Sequence, residues 1–202
     1  MKKYPSIAVI ELKSVAKGIL TSDTMIKHSP LSMIRSGSIH SGKYLILIGG
    51  SVASVDEAYK KGLLTGGDSI TDSLHLPDVH EIVFDALFGK RKKCKGECIA
   101  TIETRSVPSV IRAADSGIKG ADVDIIEIRM ADDLGGKGVA IFTGKLEEVE
   151  TAVSISKVAL AENGSIVDIT IIPRPVGETS DQINTSTSFK DSVAVSVRDG
   201  EQ

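Results

Sequence analysis

IAVIELKSV at residues 7–15 returns as IATIETRSV at residues 99–107. Continued without gaps to Ile34 and Ile126, the two stretches share 11 identities in 28 positions, where chance gives about two. The shared residues are Ile7, Ala8, Ile10, Glu11, Ser14, Val15, Ile19, Asp23, Ile26, Lys27 and Ile34. The offset is 92 here, 94 at Gly42/Gly136, and 96 where SITDSLHLP (69–77) meets SIVDITIIP (165–173). Insertions that fall in loops while the elements keep register are what a folded duplication produces.

Each copy reads as β-α-β-β-α-β, the split-βαβ or ferredoxin-like order, so the fold class is α+β with two tandem domains. Residues 7–13 are a β-branched run that predicts a strand. In the second copy Val107, Val110, Ile111, Ala114, Ile118 and Ala121 recur at helical spacing, and Pro108 falls in the first turn, where its missing N–H does no harm. Val123–Arg129 predicts the second strand, Lys43–Ile48 and Val139–Phe142 the third, and Thr71–Leu76 and Asp168–Ile172 the fourth. A second helix carries Val149, Ala152, Val153, Ser156 and Leu160 on one side. The expected organisation is a first domain over 5–88, a basic linker over 89–97, a second domain over 98–176 and a polar, extended or mobile tail over 177–202. Within that tail Val193–Val197 alternates in a way that allows one late strand.

A chain of 202 residues with 41% apolar content can bury two modest cores. Its 24 basic and 27 acidic residues leave no basic face for nucleic acid, and 3% aromatics without tryptophan leave no base-stacking platform. The N-terminal apolar run is too short for a signal peptide, no stretch is long enough to span a membrane, and two cysteines make no disulfide framework. A cytoplasmic protein is expected.

The stretch SGSIHSGKYLILIGG (36–50) is a glycine-bracketed loop running into an apolar strand, and RMADDLGGKGVAIFTG (129–144) is its counterpart. Residues 37–43 fit the opening of a phosphate loop. Tyr44, however, stands where Ser or Thr would hold magnesium, and the loop opens a strand rather than a helix. The glycines instead point to positive φ and close backbone approach. The expected rim of a central hole is Ser38, Ile39, His40, Ser41 and Gly42 from the first copy, with Asp132, Asp133, Leu134 and Gly135 from the second. Three His40 rings on a threefold axis would suit a divalent metal with an open position; otherwise they set bore and charge. A ring of Asp132 and Asp133 would favour cations. Cys94 and Cys98, spaced C-x3-C in a lysine-rich linker, supply too few ligands to close a metal site and read as free thiols. Lys13 and Arg105 occupy equivalent positions after a strand glutamate, and Arg174 is held between Pro173 and Pro175 with its planar fork free to meet a neighbour's carbonyls. No catalytic grouping stands out, so no enzyme is read here.

The segments IAVIELKSVAKGILTSDTMIK and IATIETRSVPSVIRAADSGIK, the loop SIHSGK and the closing VDITIIPRP resemble the bacterial microcompartment shell domain over about residues 6–176. Two domains in tandem resemble the trimeric class, and within it the propanediol-utilisation type. The resemblance implies a homotrimer that imitates a hexagon and tiles with other shell proteins around encapsulated enzymes. It implies a central pore for small metabolites, ions or electrons, bordered by the His40 loop. It also places Lys13, Arg105 and Arg174 on the tile edge. In the propanediol type a cysteine at the loop tip helps hold an iron–sulfur cluster. Here the tip is His40, and thiolates are the usual cluster ligands, so the electron role is not carried over and no cofactor is expected. Two other readings stay open: a metal or redox centre at the axis through His40, and a metabolite-sensing ferredoxin-like regulatory trimer.

Overall fold

The computed structural model describes residues 5–195 apart from 96 and 162–164. The first half runs β1 (Ser6–Leu12), α1 (Val15–His28), β2 (Met33–Ile39), β3 (Lys43–Gly50), α2 (Val52–Gly66), β4 (Ile70–Leu76) and α3 (Glu81–Leu87). The second repeats it as β5 (Cys98–Thr104), α4 (Val107–Gly120), β6 (Asp124–Met130), β7 (Gly138–Gly144), α5 (Leu146–Leu160), β8 (Ile166–Pro173) and α6 (Gly177–Thr185). The sheets are ordered β2-β3-β1-β4 and β6-β7-β5-β8, with antiparallel pairing throughout. That is the ferredoxin-like order expected from the repeat. Even the register shift next to β1's end, between Glu11 and Leu12, recurs between Glu103 and Thr104.

Local chemistry explains the helices. Ser14, Ser51 and Ser106 sit in extended backbone and accept hydrogen bonds from Lys17, Ser54 and Ser109 N–H groups, capping α1, α2 and α4. Pro108 lies in the first turn of α4. The five residues expected on the inner side of α5 are all buried.

Burial departs from the expected pair of separate cores. One face of the first sheet packs Ala8, Ile10, Leu12, Ile46 and Ile48 against Met25, Val55 and Ala58 of α1 and α2. The other face, through Ile7, Val9, Leu47 and Leu74, joins a single core that also holds Val107, Ile111 and Phe142 of the second half. The helix α4 packs on β4 and β1 as well as on its own sheet. The halves are therefore fused through apolar contact and not merely linked.

One pair shows how the copies diverged without losing fit. Val110 packs on Gly138, where a Cβ would lie 2.5 Å from its side chain. At the equivalent pair the sizes are exchanged: Gly18 faces the Tyr44 ring, and a Cβ would meet it at 2.3 Å. A close-packed core tolerates such an exchange only when both partners change.

The C-terminal segment differs from expectation. At an offset of 96, α6 repeats α3, which the sequence reading left without an element. The sequence predicts an extended or mobile tail because 177–202 is rich in Ser, Thr, Asp and Gly. The helix is nonetheless tied down by the linker. Arg91 donates to the Ile183 carbonyl at 2.6 Å, and Asn184 accepts from Cys94 N–H at 2.7 Å. Ile183 packs with Cys94, Ile99, Ile126 and Ile141, and Thr187 bridges Glu127 (2.6 Å) and Arg129. Residues 192–195 form no strand, and the remainder of the expected late strand lies outside the described residues.

Candidate functional site: the paired loops and the half-to-half junction

His40–Gly42 form a short 3-10 turn between β2 and β3, and residues 131–137 form the turn between β6 and β7. The two predicted rims lie side by side within one chain. His40 Nδ1 accepts from the Asp133 N–H at 3.1 Å and lies 3.3 Å from Asp132 Oδ1. Ser41 Oγ donates to the Gly135 carbonyl at 2.9 Å. Ser38, His40, Ser41, Gly42, Asp132, Asp133 and Gly135 are exposed, Ile39 and Leu134 half-buried. Among the described residues four non-glycine residues adopt left-handed φ, and three of them, Ser41, Ala131 and Asp133, are in these loops. Such a conformation costs about 1–2 kcal/mol per residue and concentrates at functional sites. Gly136, at φ 86°, brings its backbone against the His40 carbonyl, where a Cβ would lie 3.4 Å away. Gly42 takes positive φ as expected; Gly37 does not, because it belongs to β2.

The tautomer limits what His40 can do. With Nδ1 accepting from Asp133 N–H, the neutral ring carries its proton on Nε2, so neither nitrogen offers a free lone pair to a metal. The described residues contain no cluster of three or more metal-ligating side chains. An iron–sulfur cluster does not fit at this loop either. Cys98 starts β5 opposite Gly144, while the loop adjoins the other end of that strand pair, Thr104 opposite Gly138. Both cysteines are buried, and neither is in a disulfide. Burial pushes the Cys98 thiol up, with Glu150 and Cys94 adding to it, which is the reverse of the activation that lysine neighbours would give.

The same register places the three expected edge residues at opposite ends of the sheets. Lys13 and Arg105 follow the ends of β1 and β5 that pair with Tyr44 and Gly138, on the loop side. Arg174 follows Pro173, opposite Cys98, at the far end of the sheet. It is exposed, takes a left-handed φ of 53°, and its N–H donates to the Glu97 carbonyl at 2.9 Å. If the loops face an axis, Arg174 lies on the outer side and Lys13 and Arg105 on the inner. Lys27 and Lys119, in the last turns of α1 and α4, lie at that same end; Lys119 Nζ reaches the Asp78 carbonyl, just beyond β4.

Sequence reasoning missed the polar contacts that fix one half on the other. Glu11 is fully buried; its Oε2 accepts from Val107 N–H at the start of α4 (2.8 Å) and its Oε1 from Lys43 (2.6 Å). Asp72 Oδ2 accepts from Ser109 Oγ (2.7 Å) and from Ser106 Oγ. Asp115 Oδ1 accepts from His80 N–H at 2.8 Å, and Lys119 pairs with its Oδ2 at 2.6 Å. The signal was present in the repeat: Glu11, Asp23 and Lys27 are charged residues among otherwise mostly apolar identities, and Glu11 itself, with Asp115 and Lys119 as the equivalents of Asp23 and Lys27, makes these bonds.

The equivalent surfaces are uncovered in the other half. Val107, Ile111 and Ile118 of α4 are 0%, 0% and 7% exposed; Val15, Ile19 and Ile26, the same residue types at the same positions of α1, are 36%, 57% and 51% exposed. Asp115 is buried and Asp23 exposed; Asp72, which α4 covers, corresponds to Asp168, which is exposed. Val167 and Ile172 of β8 are exposed too. No helix among the described residues is long and apolar enough to cross a membrane.

Comparison with known proteins agrees with this geometry. The BMC domain model matches residues 6–79 and again residues 98–175. The chain is 35% identical to the bacterial microcompartment shell protein PduT of Citrobacter freundii, over 84% of this chain and 92% of that one. It is 26% identical to the carboxysome assembly protein CcmO of Synechococcus elongatus, over 88% of this chain and 68% of that one. A crystal structure of a microcompartment protein from Desulfitobacterium hafniense superposes with a TM-score of 0.77 at 33% identity, covering 87% of this chain and 98% of its own. The chain belongs to the BMC domain family of bacterial microcompartment shell proteins and carries that domain twice.

Proposed function

We propose that this chain is a structural tile of a bacterial microcompartment shell, built as a head-to-tail homotrimer with the paired loops around a central pore. The observation that carries it is the unequal coverage of α1 and α4. The face of α4 is closed by β4, β1 and the α3 segment of the first half. The matching face of α1 is bare, and so is β8, the counterpart of β4. A heterologous contact in which one chain's second half covers the next chain's α1 repeats the internal junction, and a ring results if the rotation closes. The pairs at the new junction follow from the repeat. Glu103 would accept from the neighbour's Val15 N–H, as Glu11 does from Val107. Asp168 would face Ser14 and Lys17, as Asp72 faces Ser106 and Ser109. Asp23 would accept from the neighbour's Val176 N–H, as Asp115 does from His80.

Three chains then present six loops to the axis, with His40 and Asp132 alternating, and a pore there serves small metabolites or ions. Arg174, Lys27 and Lys119 face outward toward other shell proteins, and the enclosed enzymes lie behind the sheet so formed. The tile has no catalytic role and needs no cofactor. Such a shell stands in the bacterial cytoplasm. Sedimentation of purified protein tests the assembly: a trimer that forms flat sheets or tubes when concentrated is expected. A monomer at every concentration, or a trimer that never forms arrays alone or with other shell proteins, would overturn the reading.

A further inference from the structure

The helices α1 and α4 carry opposite residues at one position of their matching faces: Leu20 corresponds to Arg112 at the offset of 92. Inside the chain Arg112 is half-buried, and its Nη2 donates to the Ser73 carbonyl of β4 at 3.2 Å. The surroundings of that contact are polar. Tyr59 donates its hydroxyl to Ser73 Oγ at 2.9 Å, and its ring centre lies 5.4 Å from that of His75. His75 Nε2 in turn lies 3.2 Å from Ser6 Oγ.

The free edge of the second sheet is the apolar version of the same place. At the offsets that hold in each element, Ser6, Tyr59, Ser73 and His75 correspond to Cys98, Val153, Ile169 and Ile171. Ile169 and Ile171 are only half-buried against the shared core. Leu20, which the ring would lay on them, is 51% exposed. Both sides of the contact have therefore changed character together. A cation meets a polar strand within the chain, and a leucine faces isoleucines at the open ends.

Wrong seating is penalised in both directions. The Arg112 Nε is already buried without a hydrogen-bond partner. Setting α4 on β8 would press this guanidinium among isoleucine side chains, at the desolvation cost of a charge. Setting α1 on β4 would leave the Ser73 carbonyl under a leucine, without its donor. Repulsion against the wrong partner beside attraction for the right one is how specific interfaces discriminate.

We propose that Leu20 with Ile169, and Arg112 with Ser73, are the pairs that tell the two junctions apart. The open β8 edge takes α1 of a second copy of this chain and rejects α4, so the two kinds of half alternate around the tile. This rests on the head-to-tail ring, and the test separates the two claims. Sedimentation equilibrium over a concentration series compares wild type, Leu20→Arg, Ile169→Ser and the double variant. Circular dichroism and urea midpoints check each fold. A wild type that stays monomeric overturns the ring and this pairing with it. With a wild-type trimer, each single variant should weaken association tenfold or more. The double variant, which moves the internal pair to the chain–chain junction, should associate at least tenfold more tightly than Leu20→Arg alone. A Leu20→Arg protein that associates like wild type, or a double variant no tighter than Leu20→Arg, overturns the pairing and leaves the ring standing. Because Leu20 is exposed in the single chain, its variant keeps the fold and decides the question even where Ile169→Ser does not.

Discussion

Replacing Ile19 by aspartate separates assembly from folding, because the same residue at position 111 is already covered. Full burial of a valine or isoleucine side chain is worth about 1.5–3 kcal/mol. Ile19 still shows 57% of its surface and Ile26 51%, with Val15 at 36%, so covering the α1 face yields about 3 kcal/mol per junction. Ile19 alone accounts for about 1.4 kcal/mol of this, roughly tenfold in association at each junction and a thousandfold over a closed ring of three. A carboxylate pressed on the neighbouring sheet adds its desolvation cost to that loss. Ile19→Asp should therefore give a folded monomer with native circular dichroism and urea midpoint. Ile111→Asp places the same charge at a fully buried position of the shared core, where even Ile→Ala costs about 2–5 kcal/mol, and should not fold. Analytical ultracentrifugation and urea titration read both. An Ile19→Asp protein that sediments like wild type, or that unfolds as Ile111→Asp does, would refute the inference that α1 carries the unpaired copy of the α4 interface.

The exchange of sizes at 18/44 and 110/138 makes Gly18→Val destabilising by about 1–3 kcal/mol through overpacking against Tyr44; adding Tyr44→Gly should restore part of it, and strict additivity in the cycle would show that the two do not compensate. Glu11→Gln keeps the shape but removes a buried charge from Lys43 and the α4 N-terminus; breaking such a pair costs about 3–5 kcal/mol, and because Lys43 remains partly exposed we expect the lower end, against less than 1 kcal/mol if the contact is merely superficial. Burial, opposed by Asp56 and assisted by Lys60, holds the His75 pKa below its usual value. The unfolded chain then takes up this proton first, so the His75 contribution is whole above about pH 6.5, falls as pH drops through that value, and levels off below the folded-state pKa. Urea stability of wild type minus that of His75→Asn should show this acid-side fall; a flat difference curve would contradict it.

The duplicated β-α-β-β-α-β order was legible because both periodicities and both proline stops recur at a nearly fixed offset. The pairing of the His40 and Asp132 loops was legible as an equivalence of sequence, though not that the two would touch within one chain. That contact depends on how α4 seats on the first sheet, a long-range matter on which local pattern is silent. Polar helices escaped for a similar reason. The α6 segment has little apolar periodicity of its own, and it is held by hydrogen bonds to Arg91 and Cys94 across the linker. The edge placement of Lys13 and Arg105 is implied by the resemblance alone, and the sequence does not say which end of a strand they follow; the register puts both beside the loop end, with Tyr44 and Gly138. Lys27 and Lys119 stood in the repeat as an identity, but a charged identity carries no direction until the helix is placed.

The central claim is that the junction inside one chain is repeated between chains, and a cysteine pair tests it at one contact. Ser106 and Asp72 touch within the chain, so Ser14 of one copy should meet Asp168 of the next. In a Ser14→Cys, Asp168→Cys double variant, mild oxidation followed by denaturing, non-reducing electrophoresis should give covalent dimers and trimers and stop there, while either single variant stays monomeric on the gel. Absence of cross-linked species, or a ladder climbing beyond three chains, would contradict a closed ring built on this interface.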